Sequence, residues 1–402
     1  MTDRASNLAR HFALDPAVDF LNHGSFGACP KVVLDAQDEV RAALERQPVG
    51  FMLRQFEDRL ARSRHALADF LSADARDVVF VPNATSGVNA VLRSLAFAPG
   101  DEILVTSHGY NACNNAARFV ADRAGASVVV ATVPFPIATP RDAVNAILDA
   151  VTERTRLVLV DHITSPTGLI LPVADLAAAV EPRGIEVLVD GAHAPGMVPL
   201  DVPSIGATYY TGNLHKWVCA PKGAAFLWVR RDRQADIRPT VISHGANTTR
   251  TDRSRFQIEF EWTGTFDPSP WMVVADALEA IEGMSPDGWP GWMARNRALA
   301  LRARDLLCDA LGVAPPAPDS MIGALAAVPL PDDPHPPEPH PMYLTRLQDD
   351  LLQRHDIEVP IIPWPTHPKR LVRVSAQAYN AFAQYEHLAA ALATELDRER
   401  AR

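Results

Sequence analysis

The chain has 402 residues, 48% hydrophobic and 21% charged, enough to bury a large core without disulfide or metal staples. Its formal net charge of -10, with no block of Lys and Arg to offset it, argues against nucleic acid as the main partner. Four isolated cysteines (Cys29, Cys113, Cys219 and Cys308) show no C-x-x-C spacing, which fits reduced thiols in a cytoplasm better than a disulfide framework or a zinc site. No run of ~18 apolar residues predicts a membrane span, and "MTDRASNLARHFALDPAV" has no apolar core of the signal-peptide kind. The expectation is a soluble, cytoplasmic protein.

The predicted elements begin with a polar opening, the turn "NHGSFGACP" and amphipathic helical runs from Lys31 to about Leu71. A regular alternation follows. "DVVFV", "DEILVT", "ASVVVATV", "TRLVLVDHI", "IEVLVD", "ATYYTG" and "GAAFLWVR" read as strands. "TSGVNAVLRSLAF", "NACNNAARFVADRAG", "PRDAVNAILDAV" and "VADLAAAVEPRG" read as helices between them. Short, continuously apolar strands alternating with helices predict a mainly parallel sheet covered on both faces.

Beyond about residue 265 the texture changes. "GWMARNRALALRARDLLCDALG" predicts a long helix and "MIGALAAVPL" a strand. "PDDPHPPEPHP" is too proline-rich for helix or inner strand and reads as a solvated loop rather than a metal site. "MYLTRLQDDLLQRHD", "IEVPIIPW", "RLVRVSAQ" and "NAFAQYEHLAAALATELD" then give helix, strand, strand, helix. The division is an N-terminal segment 1–30, a large domain 31–265 and a small α/β domain 266–402 with its linker helix.

Ligands of parallel α/β sheets bind beyond the carboxyl ends of the strands. Five such ends carry polar clusters: Thr85 and Ser86 after "DVVFVP", "TSHGYN" after "DEILV", "HITSPTG" after "TRLVLV", Asp190 at the end of "IEVLVD", and Lys216 after "ATYYTG". There is no G-x-G-x-x-G, P-loop lysine motif or H-E-x-x-H to support a dinucleotide, ATP or zinc-protease reading. A lysine can form an imine with an aldehyde. A strand-end aspartate can hold a protonated ring nitrogen, and the turn "NATSG" opening a helix can take a phosphate. Together these describe pyridoxal 5'-phosphate (PLP). Taken singly, Lys216 reads as a surface lysine, Asp190 as a cap, and Thr85 with Ser86 as an ordinary N-cap pair. Asn22 and His23 lie in a turn that lines the pocket or is a plain Asx turn.

The stretches "FLNHGSFGACP", "NATSGVNAVLRSL", "DHITSPTG", "VDGAHAPG", "YYTGNLHKW", "EWTGTFDPSP" and "RVSAQAYN" make the resemblance specific. The chain resembles the fold-type I PLP enzymes of the class V aminotransferase group and, within it, the isopenicillin N epimerase-like family. That resemblance implies the PLP-dependent transferase fold, with a mainly parallel seven-stranded sheet and a small C-terminal domain. It implies that Lys216 carries PLP as a Schiff base and moves the substrate α-proton, and that Asp190 pairs with the pyridine nitrogen. His193, with Ser165 or Thr164, lies near the ring hydroxyl. Thr85, with the backbone of Ala84 and Ser86, takes the phosphate, and Asn213 and His215 help from the lysine loop. Tyr110 stacks on the ring. Arg373 grips the substrate carboxylate, with Asn22 and His23 nearby. Thr265 reaches the neighbouring subunit's phosphate, which makes the enzyme a homodimer with shared sites.

The implied substrate is an amino acid or a derivative, and the implied chemistry is epimerase, racemase or aminotransferase class V chemistry at its α-carbon. The alternatives are a C–S β-lyase and, from another class, a PLP-fold protein that only binds. Persulfide-forming desulfuration is marked down, because the only cysteine of the last domain, Cys308, falls inside a predicted helix.

Overall fold

In the computed structural model, residues 5–337 and 345–401 are described. The seven predicted strands of the first half form one sheet: β1 (Val78–Val81), β2 (Glu102–Thr106), β3 (Ser127–Ala131), β4 (Thr155–Asp161), β5 (Glu186–Asp190), β6 (Tyr209–Asn213) and β7 (Ala225–Val229). Their order is β1-β7-β6-β5-β4-β2-β3, and only β7 runs antiparallel to its neighbours. Both faces of the sheet are apolar, as the unbroken hydrophobic runs required. Phe80, Leu104, Val158, Val160, Val187 and Val189 pack on one side. Val79, Val81, Ile103, Val105, Leu157, Leu159 and Leu188 pack on the other.

The helices α1 (Lys31–Arg46) and α2 (Phe56–Phe70) precede the sheet. Between strands lie α3 (Ala84–Ser94), α4 (Asn111–Ala124), α5 (Pro140–Asp149) and α6 (Val173–Val180). Local sequence sets several of their ends. Asn83 caps α3 by accepting from the Ser86 amide at 2.8 Å. Thr139 and Asp142 form a capping box around Pro140, which opens α5. Gly125, in the left-handed conformation, ends α4.

After α7 (Val274–Met284), the long α8 (Gly288–Leu311) leads to a second sheet. There β8 (Leu325–Leu330), β9 (Ile361–Pro363) and β10 (Arg370–Ser375) pair antiparallel, with β10 in the centre. Helices α9 (Arg346–His355) and α10 (Phe382–Arg400) complete this region. The proline-rich stretch carries no helix or strand over 331–337, and its remainder lies outside the described residues. The N-terminal segment belongs structurally with the end of the chain: Asp19 and Phe20 pair parallel with Ile357 and Glu358. Leu21 accepts the Ser375 amide at 2.9 Å. This places the turn 22–29 between the two sheets, against the lysine loop.

Candidate active site

Lys216 follows β6 by three residues and is half-buried. Two turns close on its loop because glycines face it. A Cβ on Gly27 would sit 2.7 Å from the Lys216 carbonyl oxygen, and one on Gly196 would sit 2.6 Å from the Trp217 carbonyl. That is the physical content of "NHGSFGACP" and "DGAHAPG".

The lysine amine lies 3.0 Å from His193 Nε2. Trp217 Nε1–H donates to His193 Nδ1 at 3.3 Å. An indole only donates, so the neutral ring carries its proton on Nε2, facing the lysine. Burial, with the Lys216 and Arg373 charges, holds His193 well below the usual histidine range. Burial and then the Arg373 charge bring the Lys216 amine down to about 8. A neutral imidazole and a readily deprotonated amine thus face each other.

Asp190 ends β5 and is 2% exposed. Its Oδ1 accepts the Ala192 amide at 3.0 Å, and its Oδ2 accepts the Cys113 thiol at 3.1 Å. Burial raises its pKa, while the thiol, the amide and the Lys216 charge oppose that rise.

Arg373, on β10, is 3% exposed. It donates to the Ser165 carbonyl at 2.5 Å, to Ser165 Oγ at 3.2 Å and to Ser25 Oγ at 2.8 Å. No carboxylate pairs with it among the described residues, and its Nε has no hydrogen-bond partner. Burial lowers its pKa to about 10, opposed by its electrostatic link to Tyr110. A buried guanidinium without an acid is poised for an anion.

The other predicted residues fall around this centre. Asn213 Oδ1 accepts the Ala84 amide at 2.8 Å, tying the first turn of α3 to the lysine strand. The Ser86 amide is taken by Asn83. Two of the backbone donors assigned to the phosphate are therefore engaged within the protein, and Thr85, between them, lies beside Cys113. Tyr110 precedes α4 and is 44% exposed. His215 Nδ1 donates to the Ala224 carbonyl at 2.9 Å. Thr164 is buried and bonded to Thr167 and the Leu169 amide, so Ser165 is the member of that pair at the arginine.

His23 is fully buried, with one ring nitrogen 2.8 Å from the Tyr379 hydroxyl and the other 2.8 Å from the Lys216 carbonyl. Its place is behind the lysine, bracing the loop. Asn22 donates to Glu358 at 3.0 Å and keeps a buried Oδ1 with no partner. Thr265 is exposed on the loop before Phe266, with no hydrogen bond to the groups of this site.

Four contributors escape a reading of the sequence: Trp217, Cys113, Asp161 and Ser25. The signal for Asp161 is a repeat, since "VLVD" occurs at both 158–161 and 187–190. Those strands pair in register, Asp161 beside Asp190. Cys113 lies one helical turn after Tyr110. Nothing in the chain pattern marks Ser25.

Comparison with known proteins gives the family and the fold. The Aminotransferase class-V family profile matches residues 21–287. An isopenicillin N epimerase of Amycolatopsis lactamdurans is 34% identical over 96% of this chain and 97% of its own. An L-cysteine desulfhydrase of Arabidopsis thaliana is 30% identical over 98% of this chain and 90% of its own. Among solved structures, C-DES with glycine covalently linked to its PLP cofactor superposes with a TM-score of 0.79, at 23% identity over 96% of this chain and 98% of its own. The cysteine desulfurase CsdA of Escherichia coli gives 0.76, at 20% identity over 97% and 98%. These two carry the fold. The chain belongs to the class-V aminotransferase family and is a PLP-dependent enzyme. Its residues fit that cofactor: a half-buried lysine that has no acid partner among the described residues, a strand-end carboxylate, and a buried guanidinium open to an anion.

Proposed function

We propose that the enzyme exchanges the α-proton of an amino acid or amino-acid derivative, in an isopenicillin N epimerase-like reaction, with PLP joined to Lys216. The observation that carries this reading is Arg373, buried, uncompensated and electrostatically coupled to Lys216. A substrate carboxylate on Arg373 places the α-carbon within the field of the lysine. The bound cofactor supplies an electron sink for the bond broken at that carbon. Asp190 would hold the ring nitrogen, His193 would serve the ring hydroxyl, and Thr85 would take the phosphate. The Lys216 amine, its pKa brought down to about 8 by burial, takes the proton on its own face of the α-carbon, and inversion requires a second donor on the opposite face.

A second reading is β-elimination from a cysteine derivative, supported by the L-cysteine desulfhydrases among the relatives. One observation shapes it. All four cysteines are buried, and burial pushes the Cys308 thiol up to about 11. No side chain is available to carry a persulfide, so sulfur would leave as a free product.

The homodimer belongs to this proposal as well. Thr265 is exposed on its loop, and Phe26, Val241 and Ile242 leave apolar surface uncovered. A second copy covering that surface would put Thr265 at the partner's phosphate. The low cysteine count supports a cytoplasmic setting, and no described helix is long and apolar enough to cross a membrane.

Incubating the enzyme with a panel of amino acids in deuterated water tests the reading. Deuterium at an intact, inverted α-carbon supports epimerisation, and loss of the side chain as a thiol or sulfide, with release of pyruvate and ammonia, supports elimination. A folded protein that stays colourless with added PLP would sink both.

A further inference from the structure

We propose that Cys113 and Asp161 are positioning residues for Asp190, together keeping its carboxylate ionised and fixed although it is buried. The proposal deepens the reading above and rests on Asp190 being the partner of the ring nitrogen.

The geometry begins with the two strands. Asp161 ends β4 and Asp190 ends β5, and the parallel register sets them side by side. Paired residues of adjacent strands project to the same face. Asp161 is 6% exposed, forms no ion pair among the described residues, and accepts the Tyr110 amide. The one cation acting on both carboxylates is Lys216. Two neighbouring buried carboxylates do not both ionise readily.

Each carboxylate accepts two donors, Asp161 from the backbone of Tyr110 and of Asp161 itself, and the side-chain thiol is what sets Asp190 apart. Asp190 receives two donors, the Ala192 amide at 3.0 Å and the Cys113 thiol at 3.1 Å. Asp161 is pushed well above the usual carboxylate range by burial and by Asp190 itself. The proton therefore rests on Asp161 and the charge on Asp190. The thiol stays protonated, because burial and the Asp190 charge push Cys113 far above its usual value. It is a permanent donor rather than a nucleophile.

The other groups facing this cluster are neutral. Tyr210, from β6, is raised by burial and by Asp190. Burial brings His162, whose backbone amide donates to the Asp190 carbonyl, down to about 4. Thr85 faces the thiol from α3. Only Lys216 lies opposite the Asp190 charge until a cofactor arrives. Plain packing would be served by an aliphatic residue at 113, but that would remove the donor to Oδ2.

The test has two parts. In the cofactor-free protein at neutral pH, difference infrared spectroscopy should show a protonated carboxylic acid band that disappears in Asp161→Asn. It should also show an S–H stretch, lowered by hydrogen bonding, that disappears in Cys113→Ser. In the PLP-loaded enzyme, Cys113→Ala should slow α-deuterium exchange about tenfold, the loss expected for one hydrogen bond to a charged acceptor, and Cys113→Ser should restore it. An acid band unchanged in Asp161→Asn, or wild-type exchange in Cys113→Ala, would overturn the proposal. Wild-type exchange in Asp190→Asn would instead overturn the assignment of Asp190, so the two failures are distinct. The infrared result on the wild-type protein stands even if the alanine variant folds poorly.

Discussion

Trp217 donates its indole N–H to His193 Nδ1 at 3.3 Å, and this bond chooses the nitrogen that faces Lys216. Without it either tautomer could form, and the other one would turn a lone pair instead of an N–H towards Lys216. Trp217→Phe should therefore lower kcat several-fold while leaving cofactor content unchanged. The smaller ring leaves space in a buried site and should cost about 1–3 kcal/mol of stability. The discriminating measurement is the pH–rate profile. A purely structural tryptophan would leave its shape alone, whereas loss of tautomer control should move its limbs.

Lys216 makes a prediction about stability in the cofactor-free protein. Its pKa falls from 10.5 in the unfolded chain to about 8 in the fold, through burial first and Arg373 second. Between those values the unfolded chain binds more protons, so the lysine's unfavourable contribution is fully present below pH 8 and relieved as pH rises towards 10.5. Lys216→Met removes the titration and keeps the length. Denaturation midpoints should show the variant more stable than wild type at pH 7, with the gap narrowing across that window. A constant gap would mean that the amine is not desolvated. The same depression predicts that the rate of PLP uptake rises with pH through about 8, as the neutral amine becomes available.

The large sheet was legible because its strands are apolar on both faces and its connections short, so each run, such as "RLVLVD" or "IEVLVD", identifies itself. The positions of Lys216 and Asp190 were legible because Asp190 ends a strand and Lys216 follows one, each in a distinctive local context. What escaped depends on contacts between elements far apart in sequence. Arg373 meets Ser25 across 348 positions, and Cys113 meets Asp190 across 77. No local pattern encodes such a pairing. His23 shows the converse. Its neighbourhood suggested a pocket residue, but Tyr379 and the Lys216 carbonyl occupy both ring nitrogens. Ala84 and Ser86 likewise looked like free helix donors until Asn213 and Asn83 were placed against them.

Thr265 tests assembly. Its side chain is exposed and makes no hydrogen bond to the groups around Lys216. If it serves the partner's phosphate, Thr265→Ala should weaken PLP retention by about 1.5–3 kcal/mol, the loss of one hydrogen bond to a charged acceptor. Stability of the cofactor-free protein should hardly change, since an exposed hydroxyl contributes little. Sedimentation should report a dimer for both proteins. A monomer that retains PLP fully would remove Thr265 from the site.

Arg373 carries the choice of substrate. The carboxylate of an α-amino acid sits on the carbon whose bond must break, so fixing it fixes which bond stands perpendicular to the cofactor ring. The guanidinium is itself held by Ser165 and Ser25, and among the described residues no acid pairs with it that a substrate would have to displace. A planar fork can grip both carboxylate oxygens, and an ammonium cannot. Arg373→Lys should leave the visible spectrum of the resting enzyme unchanged, raise KM at least tenfold and lower kcat as the α-carbon samples unproductive torsions, a pattern of roughly 2–4 kcal/mol in kcat/KM. Removing the nearby charge should also let the Lys216 pKa rise in Arg373→Met, because Arg373 is the second cause of its depression. Steady-state kinetics on any accepted amino acid decides the first point, and the pH dependence of cofactor uptake decides the second. Unchanged kcat/KM in the lysine variant would place Arg373 outside the substrate's reach.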